Sequence, residues 1–231
     1  MNATGDDAAM SIKLYDLCGS DENKRFSPTC WRTKLSLAHK GLEFEAIAVP
    51  FTKIPETVQG DVKTLPTIVD GDKEVTDSFD IAVYLENTYP EAPSLFGGEQ
   101  GIALSQFVQS WANTTLAPII VRLILKDIHD TLAPEDQAYF RKSREAMFKQ
   151  TLEEVQAGRD GRIEGFRTAL TPLRTMLAKQ PFIGGESALF ADYIVFGSLK
   201  WFSTIAPFEI FAADDSVKVW FDSIDATYSG V

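Results

Sequence analysis

Strand signals stop at residue 90. Between Ile12 and Tyr89, short alternating runs are interleaved with stretches of helical spacing. Beyond Pro90-Glu91-Ala92-Pro93 and Gly97-Gly98, every periodic stretch is helical. Each kind of periodicity must bury its own apolar face, so this pattern predicts an α/β unit followed by an all-α unit. The Pro/Gly-rich segment reads as the linker. The expected organisation is a flexible tail over residues 1–11, an α/β domain over 12–90 and a helical domain over 98–231.

Within the first unit, Ile12-Lys13-Leu14-Tyr15 alternates as a strand does, and Cys18 to Phe26 is a polar loop. From Pro28 the spacing turns helical through Trp31, Leu35, Leu37 and Ala38 and ends at Lys40-Gly41, a good C-cap. Phe44 to Val49 is a second strand, and residues 50–63, with Pro50, Pro55 and Gly60, read as irregular. Leu65 to Val69 is a third strand, Asp70-Gly71-Asp72 a turn, and Glu74-Val75 opens a short fourth. Ser78 starts a helix that stops before Pro90. The order β-α-β-β-α predicts a mixed four-stranded sheet with helices against it, which matches the thioredoxin-like plan. In the second unit, helical periodicity covers about 102–130, 134–157, 165–177, 190–205 and 217–221.

The 231 residues carry a formal net charge of −11, which argues against nucleic acid as a partner, because phosphate binding needs clustered Lys and Arg. Two cysteines, Cys18 and Cys30, are too few for a disulfide framework and point to a reducing, cytoplasmic setting. Asp6 and Asp7 interrupt any secretory apolar core, and no apolar run approaches the roughly 18 residues that span a bilayer. The expectation is a soluble protein without membrane association.

Three short stretches carry the chemistry. Ser27-Pro28-Thr29-Cys30 starts the first helix; Ser27 and Pro28 also read as an ordinary cap and first-turn proline. A helix N-terminus with a hydroxyl stabilises a thiolate held above it. Cys30 holds the second position of a Cys-x-x-Cys motif whose first is Ser27, so no dithiol cycle is available there. Leu65-Pro66 opens a strand. Asp77-Ser78 opens a helix, either as a plain cap or as an acid and a hydroxyl placed for a group carrying both an ammonium and a carboxylate. His39 and His129 have no partners at metal-ligand spacing, so no metal is expected. Trp111, Leu116, Ile119, Ile120 and Leu123 read as packing residues, of which Trp111, Leu116 and Ile120 are candidates for an apolar wall facing a second substrate.

From about residue 12 onward the chain resembles the glutathione S-transferase superfamily. The likeness rests on the Ser-Pro-x-Cys helix start, Leu65-Pro66-Thr67-Ile68, Asp77-Ser78, the linker and Ala191-Asp192-Tyr193. Within the superfamily it is most similar to the bacterial lignin β-etherases, through Trp31-Arg32-Thr33-Lys34, Val155-Gln156-Ala157-Gly158-Arg159 and Gly184-Gly185. The resemblance implies a cis-proline at Pro66 and glutathione bound through Leu65, Asp77 and Ser78. It further implies Ser27 nearest the sulfur, Lys53 for the glycyl carboxylate, a hydrophobic aromatic second substrate and a homodimer. The implied reaction is attack of the glutathione thiolate on an electrophilic carbon, as in cleavage of an aryl ether beside a ketone. A glutathione-dependent reductase is disfavoured by Ser27 in place of cysteine. A non-catalytic ligand-binding protein of the same fold is the other alternative.

Overall fold

The computed structural model describes residues 11–57 and 64–230; residues 1–10 of the expected tail, and 58–63, lie outside the described residues. Strand β1 (Ile12–Leu17) is followed by helix α1 (Pro28–His39), β2 (Phe44–Val49), a 3-10 turn (Phe51–Lys53) that runs into the short helix α2 (Ile54–Thr57), then β3 (Thr67–Asp70), β4 (Lys73–Thr76) and α3 (Ser78–Thr88). The stretch expected to be irregular is thus helical at its start. The sheet order is β2-β1-β3-β4, with β1 and β2 parallel and the other pairs antiparallel. Leu14 lies opposite both Ala46 and Ile68. The alternation of β1 sends Ile12, Leu14 and Asp16 to one buried set. A buried carboxylate needs a partner, and Lys34 Nζ of α1 supplies it at 2.8 Å from Asp16 Oδ2.

The second unit contains α4 (Glu99–Trp111), a π-helical turn (Ala112–Leu116), α5 (Ala117–Asp130), α6 (Pro134–Phe148), α7 (Leu152–Gln156), a 3-10 turn (Arg159–Arg162), α8 (Ile163–Ala169), α9 (Thr171–Leu177), α10 (Phe190–Ile205) and α11 (Ser216–Thr227). Three predicted helices are broken where local chemistry interrupts a continuing apolar period. Pro118 has no N–H for its i−4 carbonyl, and a π turn absorbs it. Lys149 is left-handed at φ 53°, and the Thr151–Glu154 capping box starts α7 afresh. Pro172 restarts the chain as α9.

α10 anchors the assembly. Leu189, its N-cap residue, has no side-chain acceptor, and Asp192 takes over. This fully buried carboxylate accepts the amides of Leu189, Ile183 and Gly184 at 3.0, 2.8 and 2.9 Å and Trp220 Nε1–H at 3.0 Å. Burial still pushes its pKa up. Gly197 lets α10 approach the first turn of α1, because a Cβ there would stand 2.3 Å from the Pro28 carbonyl oxygen. Phe79, Phe96 and Phe190 join α3, the linker and α10, with ring centroids 5.9, 5.4 and 5.3 Å apart. The start of α1 is therefore held against the second unit at Gly197, and the start of α3 at Phe190. Among the described residues no helix is long and apolar enough to cross a membrane.

Candidate active site

Ser27 is extended (φ −61°, ψ 123°) and caps α1, its Oγ accepting the Cys30 amide at 3.3 Å. Pro28 occupies the first helical position, where no N–H is needed. Ser27 is buried, and its Oγ lies 3.0 Å from Thr29 Oγ1, which in turn lies 3.0 Å from the Leu65 carbonyl oxygen. The Leu65–Pro66 peptide is cis. The start of α1 and the start of β3 thus meet at Thr29, a residue the sequence reading passed over.

Asp77 follows β4 with φ 78° and ψ 133°, a backbone conformation that side chains rarely adopt. The strain is held by two hydrogen bonds to one oxygen: Asp77 Oδ1 accepts the amides of Phe79 at 2.7 Å and Asp80 at 3.3 Å. Oδ2 of this exposed carboxylate makes no bond to a described residue. The next residue, Ser78, is buried at the first turn of α3. Arg32 of α1 is 3% exposed, and its Nε has no partner among the described residues. Burial pushes its guanidinium down to about 10, against the field of the Asp77 carboxylate. On the facing helix α4, Gln109 Oε1 is also buried without a partner among the described residues. Gln109 lines, with Asp77, Asp80, Ser110 and Asn113, a cleft of about 450 Å³. Orphaned buried polar atoms cost free energy unless something satisfies them; the open acceptor of Gln109 lines this cleft, while the open donor of Arg32 lies within the field of Asp77 but outside the cleft lining. The sequence names Arg32 only within the Trp31-Arg32-Thr33-Lys34 likeness and gives Gln109 no role.

Protein-family models identify these features. The model described as the N-terminal domain of glutathione S-transferases matches residues 23–93, and that of the C-terminal domain matches residues 103–222. The chain belongs to the glutathione S-transferase family. It is similar to a zeta-class glutathione S-transferase of Euphorbia esula, at 27% identity over 157 residues (65% of this chain, 66% of the relative). It is also similar to glutathione S-transferase 1 of Dianthus caryophyllus, at 28% over 141 residues (59% and 64%). The matches span just under two thirds of these relatives' own lengths. Among solved structures, glutathione transferase GSTFuA3 from Phanerochaete chrysosporium superposes with a TM-score of 0.84 at 25% identity, covering 97% of this chain and 99% of that one. A glutathione S-transferase of Ceriporiopsis subvermispora in complex with glutathione gives 0.79 at 23%, covering 96% and 100%, and shares the fold.

In this member of the family the other residues expected at the site are dispersed. Lys53 pairs with Glu56 at 3.3 Å on the surface of the 3-10 turn. That turn is tied to the helical domain, where buried Asp136 of α6 accepts the amides of Thr52 at 2.8 Å and Phe51 at 3.3 Å. Leu116 and Ile120 have no exposed surface, so they present nothing to a ligand in this structure. The apolar stripe of α5 that contains Ile120, Leu123, Ile124 and Ile128 is buried packing. Trp111 is half-buried and lines a separate apolar cleft of about 280 Å³ with Leu104, Phe107, Leu173, Met176 and Ile183.

An aromatic cluster begins at Phe26, the chain neighbour of Ser27; Phe26 and Phe140 are buried in it, Phe51 is half-buried and Tyr139 is exposed. Phe26 packs 6.4 Å from Phe51, and Phe51 meets Phe140 at 5.7 Å and Tyr139 at 6.3 Å. The Arg144 guanidinium sits 4.8 Å above the Phe140 ring. Phe26 beside Ser27 was the sequence cue to this cluster. Cys18 and Cys30 are both buried, and burial pushes their thiols up, that of Cys18 to about 11. Neither is a thiolate at neutral pH.

Proposed function

We infer that this transferase binds glutathione with its sulfur above the first turn of α1, and that the bound thiolate attacks an electrophilic carbon of an aromatic substrate. The observation that carries the reading is the convergence of two complementary ends. At one, the Ser27 and Thr29 hydroxyls and the Leu65 carbonyl meet at the helix N-terminus. At the other, the free oxygen of Asp77, the Ser78 hydroxyl and the buried Arg32 and Gln109 suit the ammonium and carboxylate of a γ-glutamyl group. Lys53 is assigned to the glycyl carboxylate and Pro66 to shaping the ledge at Leu65. On binding, the thiol proton passes to solvent, and Ser27 with the α1 N-terminus stabilises the thiolate that remains.

The favoured reaction is β-aryl ether cleavage. The thiolate forms a C–S bond at the carbon beside a ketone, the C–O bond breaks, and the electron pair leaves on a phenolate. The resemblance to the β-etherases supports this choice, as do half-buried Phe51 and exposed Tyr139, which present aromatic surface over buried Phe26 and Phe140. The protein acts as a homodimer in the cytoplasm on this reading; Phe107, 73% exposed, and Leu104 on α4 offer an apolar face for a second copy.

Calorimetry with glutathione tests the site. Ser78→Ala removes a charge-assisted hydrogen bond worth about 1.5–3 kcal/mol and should weaken affinity by about tenfold or more. Unchanged affinity in both Ser78→Ala and Asp77→Ala contradicts the reading. Release of phenolate from an aryl-ether ketone, run beside a chlorodinitrobenzene-type acceptor, separates ether cleavage from general conjugation.

A further inference from the structure

The hydroxyl protons around Ser27 can be counted. The Leu65 carbonyl oxygen only accepts, so the single Thr29 O–H, 3.0 Å away, is donated to it. Thr29 Oγ1 therefore acts as acceptor towards Ser27 Oγ, also at 3.0 Å. Ser27 Oγ meanwhile accepts the Cys30 amide at 3.3 Å. The Ser27 proton thus points at Thr29 in the ligand-free protein. It does not point at the space above the helix where the proposed function needs it. Leu65 and Thr29 are 36 residues apart, so the chain of bonds ties β3 to α1 through two rotatable hydroxyls.

We propose that Thr29 is a positioning residue that couples capture of the glutathione backbone at Leu65 to the direction of the Ser27 hydroxyl. The proposal rests on the glutathione site described above. The Leu65 carbonyl oxygen has two lone pairs, and a ligand amide that takes the one used by Thr29 displaces the Thr29 hydroxyl from it. Thr29 then turns about its Cβ–Oγ1 bond and donates to Ser27 Oγ, and Ser27 in turn donates to the sulfur. No covalent bond forms or breaks, and each hydroxyl keeps its own proton. In the final chain each donor polarises the next, which strengthens the terminal bond to the thiolate. A bare thiol without a peptide backbone would not turn the chain. Ser27 therefore adds its bond to the thiolate only when a peptide amide occupies Leu65.

The relay separates binding from activation, and that is how it is tested. Thr29→Val keeps the side-chain shape and leaves the Leu65 carbonyl free from the start. Binding of S-methylglutathione, which has no thiol to ionise, should be unchanged or tighter. The bound glutathione thiol, followed by thiolate absorbance against pH, should titrate about half a unit higher, about a twofold loss of thiolate at the wild-type pKa and about threefold well below it, with kcat falling in step. Thr29→Ser restores the hydroxyl and should restore the titration. Thr29→Ala, checked for folding by circular dichroism, repeats the measurement should the valine variant fold poorly.

Two results overturn the relay: an unshifted titration in Thr29→Val, or a Thr29→Ser variant as impaired as Thr29→Val. A loss of S-methylglutathione affinity matching the loss of kcat makes Thr29 a structural tie and overturns it as well. Absence of glutathione binding by the wild type is a different failure, since it removes the site itself.

Discussion

Asp136 Oδ1 accepts the Thr52 amide at 2.8 Å across the boundary between the two domains. Its second oxygen takes the Phe51 amide, and the carboxylate is almost completely buried. The helical domain thus caps a turn of the α/β domain and fixes the segment that carries Lys53.

Asp136→Ala should leave two buried amides without acceptors. Hydrogen bonds to charged groups contribute about 1.5–3 kcal/mol each, so a loss of about 3–6 kcal/mol is expected in denaturant unfolding, with Asp136→Asn intermediate. Glutathione affinity should fall in the same variant. Unchanged stability would mean that the contact contributes nothing to holding the domains together.

Gly197→Ala tests the close approach of α10 to the first turn of α1. A Cβ would sit 2.3 Å from the Pro28 carbonyl oxygen, and both backbones are held in helices. Overpacking of this kind costs about 1–3 kcal/mol. The displaced helix start should also reduce turnover, which thermal unfolding and initial rates measured together will show.

His39 makes stability depend on pH. Its Nε2–H donates to the Ser94 carbonyl at 3.0 Å, so Nδ1 accepts the Tyr193 hydroxyl at 2.6 Å, and the ring is neutral. Burial lowers its pKa from the usual 6.5; neighbouring Lys40 acts in the same direction, while the Ser94 carbonyl and Glu86 oppose it. The unfolded chain then binds the proton more readily than the folded one. This contribution is fully present above about pH 6.5 and is lost as pH falls through the lower folded value. Unfolding free energies should drop more between pH 7.5 and about 5.5 for wild type than for His39→Gln. Parallel curves would remove His39 as the cause.

Much of the fold was legible because its determinants are local. The alternation of Ile12 to Tyr15, the Ser27-Pro28 cap and the Asp77-Ser78 helix start each act within a few residues. Breaks at Ala112–Leu116, Lys149 and Leu170 were hidden because the apolar period continues across them. The site was legible where it coincides with helix caps. Thr29 depends on a partner 36 residues away, in the segment before β3, and Arg32 is a charge buried by the approach of α10 at Gly197. Leu116 and Ile120 show the converse: spacing of apolar residues marks a packed stripe as readily as a ligand wall.

The central claim is that Ser27 stabilises the thiolate of bound glutathione. The direct measurement is the pH titration of thiolate absorbance in saturated complexes of wild type and Ser27→Ala. The variant should titrate at higher pH, with turnover lost in proportion and affinity for glutathione largely kept. The shift need not be large, because the amides at the start of α1 still face the sulfur. Superimposable titrations with equal turnover would make Ser27 a helix cap alone and contradict the account.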